Sequence, residues 1–187
     1  MHQHNPLIDK DSFTMEASTY LEPVIDIFHA PARIIIAGYS NSGKSEMCSK
    51  LIQKYHNKFN TILYCGVNSH SFKENNEINR KITVSSEILN PFEYTYNGPL
   101  LYILDDCFLE AVQSNHVVDA FTKGRHENIS TIFITQNMFF NGKFSRNISL
   151  NCSHYILMRS RDLGQIETLG RQLFVKKMGN SFVEIYK

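Results

Sequence analysis

The sequence predicts an α/β fold, a mostly parallel sheet flanked by helices, and three observations carry that prediction. Gly38-Tyr39-Ser40-Asn41-Ser42-Gly43-Lys44-Ser45 fits G-x-x-x-x-G-K-[ST], the phosphate-binding P-loop. Short apolar runs alternate with stretches of helical period along most of the chain. A further apolar run, Leu100 to Leu104, ends in the paired acids Asp105 and Asp106.

Length and composition agree with such a fold. A chain of 187 residues suits one domain with room for a central sheet. A hydrophobic content of 42% and a charged content of 20% are ordinary for a globular protein. The net charge is +1, but it is unevenly spread: residues 1–122 hold 9 basic and 14 acidic side chains, residues 123–187 hold 10 and 4. A basic C-terminal third can face a polyanion or be a plain solvated surface. Cys48, Cys65, Cys107 and Cys152 form no C-x-x-C pair and read as reduced, mostly buried thiols of an intracellular protein. No apolar run reaches membrane-spanning length, and residues 1–10 lack the pattern of a signal peptide. His2 and His4 read as a polar chain end rather than a metal site.

Residues 1–30 are expected to be a lead-in punctuated by Pro6, Pro23 and Pro31, with Leu21 to Phe28 apolar enough to pack on a domain spanning 31–187. Arg33 to Ala37 is the first buried strand, the P-loop follows, and Glu46 to about His56 is a helix with Met47, Leu51, Ile52 and Tyr55 at helical spacing. This is the strand–turn–helix context the motif needs. Its glycines let backbone N–H groups approach an anion, and the helix N-terminus adds partial positive charge. Lys44 is placed to reach the β- and γ-phosphates and Ser45 to hold Mg²⁺, with residues 38–45 and Glu46 forming the cradle.

Thr61 to Cys65 is a second strand ended by Gly66. The polar stretch 68–97 predicts loops facing a substrate, a strand near Ile82 to Val84, and a short helix from Ser85 or Ser86 closed by Pro91. Leu100 to Asp106 matches the Walker B signature, with Asp105 serving Mg²⁺ and Asp106 acting on the attacking water. Cys107 to Lys123 reads as one helix, and Gly124-Arg125-His126 as a cationic turn. Ile129 to Thr135 is a further strand ending in Gln136-Asn137, an amide pair able to sense a γ-phosphate without adding charge, or simply a strand-end turn. It is assigned the place between the P-loop and Walker B strands, the mark of additional-strand P-loop proteins. Residues 142–151 read as a loop or short helix with Arg146, and His154 to Arg159 as a strand. A helix then runs from Arg161 to Leu169 with Gly170 as its stop. Leu173 to Lys177 and Phe182 to Tyr186 read as a terminal β-hairpin about a Gly-Asn turn.

In order and spacing, Gly38 to Ser45, Leu100 to Asp106, Gly124-Arg125-His126 and Ile129 to Asn137 resemble the FtsK–HerA superfamily of DNA-pumping ATPases. The likeness covers about residues 30–170 and is strongest to the viral genome-packaging branch of poxvirus type, found also in virophages and self-synthesising DNA transposons. It implies a RecA-like ATPase that forms a homo-oligomeric ring and threads double-stranded DNA, independently of sequence, into a capsid. It also implies a capsid or portal partner, ATP and Mg²⁺ as cofactors, and a place in the host cytoplasm, nucleus or virion. Carried over, Lys44 and Ser45 bind Mg-ATP, Asp105 serves the metal, Asp106 the water, and Gln136 the γ-phosphate. Many ATPases of the broader class have Glu where this chain has Asp106, which leaves the base role less secure than the metal role. Ring ATPases complete a neighbour's site with an arginine; among Arg125, Arg146, Arg159 and Arg161, Arg125 is favoured.

Other readings compete. A helicase of the same superfamily shares every motif. A nucleotide or small-molecule kinase shares the P-loop but needs an arginine-rich lid, and none is visible. A guanine-nucleotide switch needs Asn-Lys-x-Asp, and Asn57-Lys58-Phe59-Asn60 lacks the acid. A scaffold that binds without turnover has no need of Lys44 with Asp105 and Asp106.

Overall fold

The computed structural model describes residues 26–28, 31–66, 75–137, 139, 144–174 and 179–187. The expectations for His2 and His4, most of the lead-in, residues 67–74, Gly142 and the centre of the supposed hairpin lie outside them.

Among these residues six strands build one sheet: β1 (Arg33–Ala37), β2 (Thr61–Cys65), β3 (Ile82–Ser85), β4 (Leu100–Asp105), β5 (Ile129–Thr135) and β6 (His154–Leu157), in the spatial order β3-β2-β4-β5-β1-β6. Every pairing is parallel. The α/β prediction therefore holds, as does the placement of β5 between β4 and β1. A parallel sheet covered on both faces must be apolar at successive residues, and β2, β4 and β5 are buried along their whole length. Alternate residues feed two cores. Ile34, Ile36, Ile62, Tyr64, Ile103 and Ile132 meet Cys48, Ile52 and Tyr55 of α1 (Lys44–Tyr55), and Phe28 and Phe59 join them. Ile35, Leu63, Tyr102, Leu104 and Phe133 face the other way.

That second face is covered by α3 (Phe108–Ala111), α4 (Asn115–Thr122), α5 (Ser145–Asn151) and α6 (Leu163–Leu173), through Ala111, Val117, Phe121, Ile148 and Ile166. The single helix expected over 107–123 is thus two. Ser114 is extended at the N-cap of α4, and the Val112 carbonyl accepts from the Phe144 N–H at 3.3 Å instead of continuing the helix. The helix expected before Pro91 is absent. Pro91 opens a 3₁₀ turn, Pro91–Asn97, because a missing N–H costs nothing in a first turn, and Asn90 caps it. A four-residue helix not foreseen, α2 (Asn76–Asn79), precedes β3, capped by Asn75.

The C-terminal hairpin is overturned. Gly179–Tyr186 is a helix, α7, and α6 runs through Gly170 rather than stopping there. A Cβ on Gly170 would lie 2.8 Å from the Phe182 Cβ, so this glycine lets α6 and α7 touch. Phe182, Val183 and Tyr186 then share one face and pack on the core. The Tyr186 hydroxyl donates to the Met158 carbonyl at 2.7 Å and accepts from the Ser160 N–H at 2.6 Å, tying α7 to the end of β6.

Candidate nucleotide site

In a parallel sheet all strands end on the same side, and ligands gather where neighbouring crossovers diverge. Here β1 lies between β5 and β6, and Ala37, the last residue of β1, stands opposite Thr135 of β5 and Leu157 of β6. Asp105, the last residue of β4, stands opposite Ile134. The loops leaving β1, β4 and β5 therefore share one edge. A cleft of about 180 Å³ there is lined by Lys44, Asp106, Ile134, Thr135, Gln136 and Asn137. It joins Lys44, Asp106 and Gln136 from three separate motifs.

The P-loop is pinned at its start by backbone bonds, Gly38 N–H to the Thr135 carbonyl and Tyr39 N–H to the Arg159 carbonyl, each 3.2 Å. Its two motif glycines are needed for different reasons. A Cβ on Gly38 would lie 2.7 Å from both Met158 Cβ and Ser42 Oγ, whereas one on Gly43 would meet only an ordinary contact, Met158 Cε at 3.5 Å, but at a φ of +87°, the left-handed region. Gly43 caps α1 without a side-chain hydrogen bond, so the first N–H groups of the helix keep no capping partner. The Ser42 hydroxyl is buried and has no hydrogen-bond partner among the described residues. Unpaired donors around a glycine turn fit a phosphate group.

Lys44 Nζ donates to the Tyr39 carbonyl at 2.9 Å, folded onto its own loop. Partial burial lowers its pKa, while Asp106 and then Asp105 pull it back up, which places both acids within electrostatic reach. Ser45 lies half-buried in the first turn of α1. Glu46 turns away: its carboxylate pairs with Lys50 at 3.6 Å on the exposed side of α1, and only its backbone remains with the loop.

Asp105 and Asp106 differ sharply. Asp105 is 3% exposed and accepts a 2.5 Å hydrogen bond from the Tyr64 hydroxyl of β2. Asp106 is exposed, at φ +59°, and lines the cleft. An acid tolerates this conformation better than most side chains, and it swings the second carboxylate off the strand axis. Gln136 and Asn137 are exposed, and the Thr135 hydroxyl donates to the Asn137 carbonyl at 2.8 Å, so the strand-end turn and the cleft wall are one structure.

The candidate arginines separate. Arg161 lies 4.9 Å above the Tyr39 ring, against the P-loop of its own chain. Arg159 gives that loop a backbone carbonyl. Arg146 is exposed on α5. Arg125 sits in the 3₁₀ turn Gly124–Glu127 before β5, at the opposite end of the sheet, and so takes no part in its own chain's cleft. Sequence reasoning missed Tyr64, Thr135 and the Tyr39–Arg161 stack, since each depends on which strands are neighbours.

Ser45 and Asp105 do not line the cleft, but their chemistry fits a phosphate-bound cation. Ser45 and Asp105 are hard oxygen ligands of the kind Mg²⁺ takes, usually with waters and phosphate completing the shell. Among the described residues no cluster of three or more His, Cys, Asp or Glu marks a separate metal site.

The fold and the loop define the class: an α/β P-loop NTPase architecture of RecA-like type. Among solved structures, the chain is similar to the genome packaging NTPase B204 from Sulfolobus turreted icosahedral virus 2 in complex with ATPγS, with TM-score 0.55 and 12% identity over 81% of this chain and 86% of that one. The AMPPCP complex of B204 gives 0.54 and 14%, over 81% and 87%. The cytoplasmic domain of EssC gives 0.53 and 12%, covering 74% of this chain but only 33% of that structure, so the chain spans about a third of it. At these identities the likeness is one of fold. No protein-family model matches the chain, and no curated protein matches it in sequence.

Proposed function

We propose that this protein is an FtsK–HerA-type ATPase that drives double-stranded DNA through a ring of its own copies, packaging a viral or virus-like genome. The observation that carries the reading is the cleft itself, which gathers a P-loop lysine, a strand-end acid and a sensor amide. Its support beyond the cleft is the fold shared with a genome packaging NTPase over most of both chains.

Each residue then has a task. The P-loop amides and Lys44 bind the triphosphate, for which Lys44 must leave the Tyr39 carbonyl. Ser45 and Asp105 would hold Mg²⁺, which when bound neutralises charge on the β- and γ-phosphates. Asp106, open to the cleft, orients the attacking water and accepts its proton. Gln136 hydrogen-bonds the γ-phosphate or that water without adding charge. Arg125, remote from its own cleft, completes the site of the next subunit in the ring. DNA is held through its phosphates by the basic C-terminal third or by loops in 68–97, so its affinity falls steeply with salt.

The test is the ATPase rate with and without duplex DNA, wild type against Lys44→Ala. Stimulation by DNA, abolished in the mutant, supports the motor. Stimulation by a nucleoside instead identifies a kinase, and turnover indifferent to DNA removes the translocase.

A further inference from the structure

We propose that Tyr64 is a positioning residue for Asp105: its buried phenol fixes the carboxylate that serves Mg²⁺, and so sets the metal requirement of the site without touching nucleotide. The inference rests on the nucleotide-site reading above.

Tyr64 is the fourth residue of β2 and pairs with Ile103 of β4. Side chains alternate across a strand, so Ile103, Asp105 and Tyr64 share one sheet face. Asp105 is two residues beyond Ile103, toward the cleft, and the length of a tyrosine carries its hydroxyl to Asp105 Oδ2 at 2.5 Å. Both residues are almost fully enclosed, Tyr64 at 2% and Asp105 at 3% exposure.

A second contact presses the same strand end onto the same acid. A Cβ on Gly66 would lie 2.3 Å from the Asp105 carbonyl oxygen and 3.1 Å from its Cβ. Gly66 is held in place by its N–H bond to the Ser85 carbonyl at 2.8 Å. The end of β2 therefore fixes Asp105 twice, at the backbone through Gly66 and at the carboxylate through Tyr64. A carboxylate this buried needs a hydrogen-bond partner, and to ligate it needs a fixed orientation. Phenylalanine would fill the space and supply neither.

A merely structural hydrogen bond would alter stability alone; a positioning bond alters the response to metal. The test measures ATPγS affinity in EDTA and across a Mg²⁺ titration, with direct Mn²⁺ binding by electron paramagnetic resonance, for wild type and Tyr64→Phe. In EDTA the two proteins bind nucleotide alike, because the P-loop is untouched, which also reports that the variant is folded. The half-saturating Mg²⁺ or Mn²⁺ concentration rises about 10-fold or more in Tyr64→Phe, the range typical of lost outer-shell partners. Gly66→Ala, which displaces Asp105 from the backbone side with the phenol intact, raises it as well and serves if Tyr64→Phe does not fold. A metal requirement unchanged in folded Tyr64→Phe, or unchanged in Gly66→Ala where that variant stands in, overturns the proposal while leaving the nucleotide site standing. Wild-type nucleotide binding indifferent to Mg²⁺ overturns both.

Discussion

At the N-terminal ends of the strands the chain closes its hydrogen bonds on itself. The Ala32 N–H donates to Ser130 Oγ at 3.1 Å, the Arg33 N–H to Ser153 Oγ at 2.8 Å, and the Asn60 N–H to the Pro99 carbonyl at 2.8 Å. At the C-terminal ends it does the reverse. Gly43 leaves α1 without a side-chain cap, the Ser42 hydroxyl is buried unpaired, and the Lys44 ammonium rests on its own loop. Backbone donors at the first end pair within the chain, although Arg33 Nε and Thr131 Oγ1 there are buried unpaired among the described residues, whereas the backbone donors of the glycine turn at the second stay open for a ligand. Arg125, at the N-terminal end, is exposed and available to another molecule. Its Nε donates to the adjacent His126 ring at 3.3 Å, an exposed contact worth little.

The contrast can be broken most directly at Arg125. Arg125→Ala should lower turnover of the assembled protein by about 10³-fold or more, with nucleotide affinity kept and stability changed by less than about 0.5 kcal/mol. Mixing it with Lys44→Ala subunits should restore part of the activity, since each supplies what the other lacks. Normal turnover in the assembled variant would remove Arg125 from the chemistry. At the opposite end, Asp106→Asn should cost about 10²- to 10⁴-fold in turnover and leave ATP binding intact, Asn being compatible with its left-handed backbone. A loss of ATP affinity equal to the loss of rate would instead make Asp106 a binding residue.

Alkaline pH probes both ends at once. Burial, with the Cys65 thiol next, pushes Cys107 beside the cleft up to about 12, and burial pushes Cys152, between α5 and β6, up to about 11, from an ordinary value of 9.0. The unfolded chain loses these protons first, so the folded state holds more protons above pH 9 and stability must fall as pH rises. The combined loss from these two thiols should be about 5 kcal/mol by pH 11, read by denaturant melts between pH 8 and 11. Stability flat across that window would mean that the thiols are not enclosed as described. The smallest effect is expected for Gly38→Ala, about 1–3 kcal/mol from crowding at Met158 and Ser42, with weaker nucleotide binding. A variant as stable and as tight-binding as wild type would show that the loop can yield.

Legibility in the sequence followed burial. β1, β2, β4 and β5 are enclosed on both faces, so their apolar runs could only be strands, and the P-loop supplied the helix after β1. The C-terminal segment was misread because it is only partly covered. Ile185 is 85% exposed and Phe174 44%, so a Phe-Val-Glu-Ile-Tyr pattern satisfies a two-residue period on paper and a helical face in the fold. Gly170 looked like a helix stop because its contact with Phe182 is tertiary. In the candidate site, Lys44, Asp106 and Gln136 were each legible from a local motif, whereas Tyr64 carries no local signal.

By itself the sequence determined the phosphate loop, the paired acids and the class of sheet that presents them, because those depend on backbone geometry and apolar periodicity encoded within a few neighbouring residues. Only the tertiary structure decided that the two acids have different lives, one sealed under a tyrosine from the next strand and one turned into the cleft. Only it placed Arg125 at the far end of the sheet and Arg161 against the P-loop. The physical reason is that strand order and the direction of a side chain across a sheet are set by packing between segments distant in the chain, which no local pattern records.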